Sequence, residues 1–116
     1  MSAQIGTTRR RRSERLLLQV RVIVEAETEK EKVIRLDAFT VVVSAHGGLL
    51  EMSLRVSKGQ KLLLFNLSAG LREPCRVVRV AKCQDELFAV AFEFDSPTPQ
   101  FWLIAFPPEG WVLVPP

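Results

Sequence analysis

Apolar and polar residues alternate with a period of two over most of the chain. In Leu18–Glu25, Leu18, Val20, Val22 and Val24 fall on one face, and Gln19, Arg21, Ile23 and Glu25 on the other. That is the pattern of a strand with one buried face. A charged turn at Thr28–Lys32 leads into Val33–Val43, a run rich in β-branched residues. Ser44–Gly48 breaks this run with two glycines. Further strands are expected at Leu49–Leu54, Lys61–Leu67, Pro74–Lys82 and Leu87–Phe94. Turns are expected at Val56–Gly59, Ser68–Leu71 and Gln84–Glu86. In the last strand Phe88, Val90, Phe92 and Phe94 share one face. Six strands spaced by about ten residues predict an all-β fold, a small barrel or a sandwich. After Asp95 the texture changes. Gln100–Phe106 is bracketed by prolines and predicts a short helix or turn packed on the strands, with Trp102 and Trp111 as core rings.

Composition supports one globular domain. The chain has 116 residues, 47% of them apolar, too many for a disordered chain. Charge changes the picture more. Residues 1–15 contain Arg9, Arg10, Arg11, Arg12 and Arg15 against a single acid, Glu14, so this arm carries +4 of a net +3 and the rest is −1. A flexible basic arm over 1–15 and a barrel domain over 16–116 follow, and the arm points to an anionic partner. The longest uncharged runs, Ala38–Leu50 and Ser96–Pro108, are 13 residues. Both fall short of the roughly 18 expected of a membrane-spanning helix. Leu16–Leu18 is too short for the apolar part of a signal peptide, so a cytoplasmic location is the default expectation. Cys75 and Cys83 read as reduced thiols in or near the core.

Signatures of catalysis are absent. His46 is the single histidine, and no nucleophile elbow, phosphate loop, dinucleotide fingerprint or metal-ligand spacing occurs. Binding without catalysis or cofactor is the expected class. Two features suit it. Arg9–Arg12 and Arg15 lie just before the first strand, and guanidinium groups fork onto phosphate oxygens and guanine edges. Taken alone, such a run is equally a solvated basic tail. The break at Val42–Gly48 offers a serine hydroxyl and glycines that permit close backbone approach; alone it is an ordinary hairpin turn.

In combination these features resemble the PilZ domain family, whose signatures are R-x-x-x-R and D/N-x-S-x-x-G. Arg11–Arg15 matches the first, and Val42–Gly47 matches the second at Ser44 and Gly47. The resemblance covers about residues 9–106. It implies a six-stranded antiparallel β-barrel and a bacterial receptor that binds cyclic di-GMP and relays this second messenger to a protein effector in motility, biofilm formation or secretion. It assigns the ligand to Arg11, Arg15, Ser44 and Gly47, with Arg10, Arg12, Val42, His46 and Gly48 as secondary candidates. His46 is expected to be an exposed turn residue. The family carries Asp or Asn where this chain has Val42, and valine cannot hydrogen-bond. Losing one such bond weakens binding roughly tenfold.

Two other readings compete. A degenerate module of the same fold would have lost the nucleotide and would hold a protein partner through the apolar tail around Phe101, Trp102 and Trp111. A small barrel with a basic arm could also bind single-stranded nucleic acid. Such proteins interleave basic and aromatic residues, whereas the phenylalanines here share one core-like face and the body is net negative, so no specific nucleic acid is expected.

Overall fold

The computed structural model describes residues 15–28 and 30–103. Its strands are β1 (Leu16–Leu17), β2 (Arg21–Glu27), β3 (Val33–Ser44), β4 (Gly47–Met52), β5 (Lys61–Asn66), β6 (Leu71–Lys82) and β7 (Phe88–Phe94). A 3-10 turn, η1, follows at Pro99–Trp102. The sheet runs β1-β3-β2-β5-β6-β7-β4, and β3–β4 pairing closes six of its strands into an antiparallel barrel. The choice between barrel and sandwich is thus settled for the barrel. Closure leaves its six strands without free edges. The barrel is strongly sheared. From His46, backbone and strand pairings lead through Phe94, Cys75, Leu62 and Ala26 back to β3 at Ile34, ten residues short of Ser44. Such a stagger is what lets a small sheet close with tilted strands.

The period-two pattern becomes the core. Val22, Val24 and Ala26 of β2 meet Leu62 and Leu64 of β5, Cys75 and Val77 of β6, and Val90, Phe92 and Phe94 of β7. η1 plugs the interior with Phe101 (0% exposed) and Trp102 (3%). Phe101 packs on Phe94 at 5.2 Å between ring centroids, and edge-on against Trp102 at 4.9 Å. Burying a ring such as Phe101 contributes about 3 kcal/mol. The helix-or-turn expected after Asp95 is this turn; Trp111 lies outside the described residues. Phe101 and Trp102 therefore form core, and the partner surface expected from them is withdrawn: a ring sealed inside the barrel offers nothing to a second protein.

Two boundaries depart from the sequence reading. The expected first strand, Leu18–Glu25, starts three residues late as β2, and the short β1 precedes it; both pair with β3. Gly47 and Gly48 do not sit in the turn but begin β4, so the loop between Ser44 and Gly47 is only Ala45–His46. The first departure goes with an irregularity in β3. A bulge between Thr40 and Val42 pushes Val41 outward, so that Thr40 and Val43, three apart, are both buried. Inside, the Thr40 hydroxyl donates to the Leu18 carbonyl (2.6 Å) and accepts from the Val20 amide (2.7 Å). One side chain thereby satisfies two backbone groups that the broken ladder leaves behind.

Candidate functional site

The β3–β4 turn is fixed from three sides. The Ser44 hydroxyl accepts from the His46 amide (3.2 Å) and donates to the Gly47 carbonyl (3.4 Å). Trp102 Nε1 donates to the Ser44 carbonyl (2.8 Å), which gives that buried ring its polar partner. The Phe94 amide donates to the His46 carbonyl (2.8 Å), and the Thr98 amide to the Ala45 carbonyl (2.9 Å). His46, expected to be exposed, is half-buried in a turn whose His46 carbonyl is held by β7 and whose Ala45 carbonyl is held by the Thr98 segment.

The glycines have a steric cause. A Cβ on Gly47 would overlap the Phe92 carbonyl oxygen, and one on Gly48 would overlap the Val42 carbonyl oxygen. β3, β4 and β7 therefore approach as closely as they do only because these two positions lack side chains. Ser44 and Gly47 thus have a structural task whatever else they do.

Pairing also brings the two motifs toward each other. β1 pairs Leu16 with Val43 and Leu17 with Val42. Continued by one residue, that register sets Arg15 opposite Ser44. Arg15 is exposed and immediately precedes β1. Val42 and Ser44 alternate with buried Val43, so both face outward. Val42 is half-buried between Leu17 and Leu49, its neighbours in β1 and β4. Arg15, Val42 and Ser44 therefore lie toward one outer face, with buried Gly47 paired to Ser44, while Gly48 pairs with Val43 and Phe92 in an inward-facing row. Arg10, Arg11 and Arg12 lie outside the described residues.

A shallow open groove of about 390 Å³ lies next to this patch, lined by Leu17, Leu18, Gln19, Phe39, Thr40, Val41 and Glu51. Leu17 is 85% exposed, and Phe39 and Val41 are also open to solvent. The sequence reading missed this surface, because the bulge that turns Val41 outward leaves no mark in the alternation.

Among the described residues nothing nominates a nucleophile. Burial pushes the Cys75 thiol up to about 12, Asp95 reinforces the shift and Lys61 offsets part of it. Cys75 therefore stays protonated at neutral pH, whereas thiol chemistry needs the thiolate. Both cysteines are free. Among the described residues no cluster of His, Cys, Asp or Glu could hold a metal ion, and no helix is long and apolar enough to cross a membrane.

A family model described as PilZ domain matches residues 9–103. No curated protein matches the chain.

Proposed function

The chain belongs to the PilZ domain family, and we propose that it is a non-catalytic receptor for cyclic di-GMP. The observation that carries this reading is the β1–β3 register, which, continued by one residue, brings Arg15 of the first motif opposite Ser44 of the second. Arg11 and Arg15 would fork onto the phosphates and the guanine of the ligand, with Arg10 and Arg12 adding phosphate contacts. Ser44 would present its hydroxyl, and Gly47 would allow the ligand close to the backbone. Binding would hold the arginines of the 1–15 segment against the barrel and so alter the surface offered to an effector protein.

Isothermal titration of the purified chain with cyclic di-GMP tests the proposal. Saturable binding is expected. Arg15→Ala should weaken it by about tenfold or more, the size of a lost charge-assisted contact. Absence of saturable heat at high micromolar nucleotide would sink the reading. Val42→Asp restores the family's polar residue at a half-buried outward position, and should tighten binding.

A second reading, a nucleotide-free interaction module, is favoured by Val42 and by the exposed apolar rim of Leu17, Phe39 and Val41. That rim, rather than the buried Phe101 and Trp102, would meet a protein partner. The same titration separates the two.

A further inference from the structure

The middle of β3 presents an apolar line to solvent, and the strands on either side flank it in a regular way. In one row Arg21 of β2 pairs with Phe39, and Phe39 with Glu51 of β4. Nearer Ser44, Leu17 of β1 pairs with Val42, and Val42 with Leu49 of β4. Between the rows the bulge turns Val41 outward. Val22, Leu50 and Met52 point inward, so their neighbours Arg21, Leu49 and Glu51 stand on the outer face. Leu17 is 85% exposed, Phe39 45% and Val41 36%. Leu17, Phe39, Val41 and Glu51 all line the shallow groove. Glu51 takes part in none of the ion pairs formed among the described residues. Arg21 reaches Asp37 through Nε and Nη2, which leaves the donors of Nη1 for a second carboxylate.

Such a surface is complementary to itself. Let a second copy be turned by half a rotation about an axis that lies along β3 in the plane of contact. Each flank then faces the opposite flank of the other copy. Arg21 comes over Glu51 of the second copy, and Glu51 over its Arg21. Leu17 meets Leu49 on both sides, while Phe39 and Val41 meet their own equivalents. That is the isologous arrangement, in which residue i contacts j and j contacts i. One rotation serves both rows, because each flanking residue stands one strand, about 5 Å, to either side of β3. Opposite charges on the two flanks of an apolar line are what a self-interface requires; an unrelated apolar partner would need neither. We propose that this face of β3 is a docking surface whose occupant is a second copy of the chain. The outside of a barrel is convex, so two copies meet along a stripe smaller than the roughly 800 Å² per partner of a standard interface, and the dimer is weak. Self-docking of this kind is independent of whether the chain binds a nucleotide.

Sedimentation equilibrium of the full chain, from about 10 μM to about 1 mM, is the test, since a small interface gives affinities in that range. A concentration-dependent equilibrium between monomer and dimer is expected. Leu17→Asp alters a side chain that stands almost wholly in solvent, so the monomer should fold unchanged while self-association weakens about tenfold or more. Glu51→Arg alone sets arginine against Arg21 in both halves of the interface, and Arg21→Glu alone sets an acid against Glu51. Each should also weaken self-association about tenfold or more. An equimolar mixture of the Glu51→Arg and Arg21→Glu chains regains both contacts of opposite sign and should dimerise again. Circular dichroism checks that every variant is folded. A monomer at all concentrations, a dimer indifferent to Leu17→Asp and to the charge reversals, or a mixture that stays monomeric would overturn the self-docking surface. A dimer formed by a chain that takes up no cyclic di-GMP would leave this surface standing and sink the receptor reading; nucleotide binding by a strict monomer would do the reverse.

Discussion

At the Val33 end of β3, side chains pair with one another across the surface; at the Ser44 end, they hold backbone. Near the first end Arg35 meets Glu25 at 3.4 Å and lies over the Phe65 ring at 4.8 Å, while Arg21 meets Asp37 at 2.9 Å. All of these charged groups are substantially exposed. Toward the other end Thr40 bridges a broken ladder, Ser44 closes a turn, and Trp102 ties that turn to the core. Exposed pairs contribute little, because water and salt screen them. A buried group that satisfies backbone is expensive to lose, because its former partners stay desolvated. The candidate site thus sits on the end of β3 where changes should cost most.

The sharpest way to break this contrast is at the glycines. Gly47→Ala should destabilise the fold by about 3 kcal/mol or more, since the added methyl meets a backbone oxygen that no rotamer can move. Gly59 gives the comparison. It sits at φ +88°, but a Cβ there meets nothing within 4 Å. Gly59→Ala should cost only the left-handed backbone, about 1–2 kcal/mol. Urea unfolding of both variants checks the difference; equal costs would mean that strand approach at Gly47 is not a tight constraint.

The same contrast explains what could be read from the chain. Alternation in Val20–Ala26, Lys61–Asn66 and Phe88–Phe94 gave the strands, because these residues keep strict period-two burial. It failed at Thr40–Val43. A period-two reading there puts Val41 with Val43 and Thr40 opposite, and the bulge inverts that choice. What decides it is the Thr40 hydroxyl bonding to Leu18 and Val20, 22 and 20 residues away, which no local pattern carries. Of the candidate site, Ser44 and Gly47 were legible as a motif. Their dependence on Trp102 and Phe92 was not, because it exists only once β4 and β7 pair and η1 folds over the turn.

Thr40→Val is the next test. The substitution keeps the shape and removes the hydroxyl, so the Leu18 carbonyl and Val20 amide lose their partner. A cost of about 1–3 kcal/mol is expected by thermal or urea unfolding. The hydroxyl shares the break between β1 and β2 with the backbone bonds Leu18 N–Val41 O and Thr40 N–Val20 O, so its loss should also loosen the placing of Arg15 next to Ser44. Weaker cyclic di-GMP binding should therefore accompany the loss of stability, although Thr40 faces the core.

The smallest effect is expected at the exposed end. Arg21 and Asp37 form a cross-strand pair in which Arg21 Nη2 lies 2.9 Å from Asp37 Oδ1, with side chains 60% and 53% exposed. Good geometry does not make such a pair strong: the charges stay largely hydrated, and fixing a long arginine costs entropy. In a double-mutant cycle of Arg21→Ala and Asp37→Ala the coupling should be about 0–1 kcal/mol, and should fall further in 1 M salt, where the Debye length is about 3 Å. Nucleotide affinity should not change, because the pair lies three or more residues from the bulge and on the far side of it from Ser44. A coupling well above 1 kcal/mol would mean that the open ladder, too, holds the barrel together. The division of β3 into a replaceable surface end and a constrained site end would then fail.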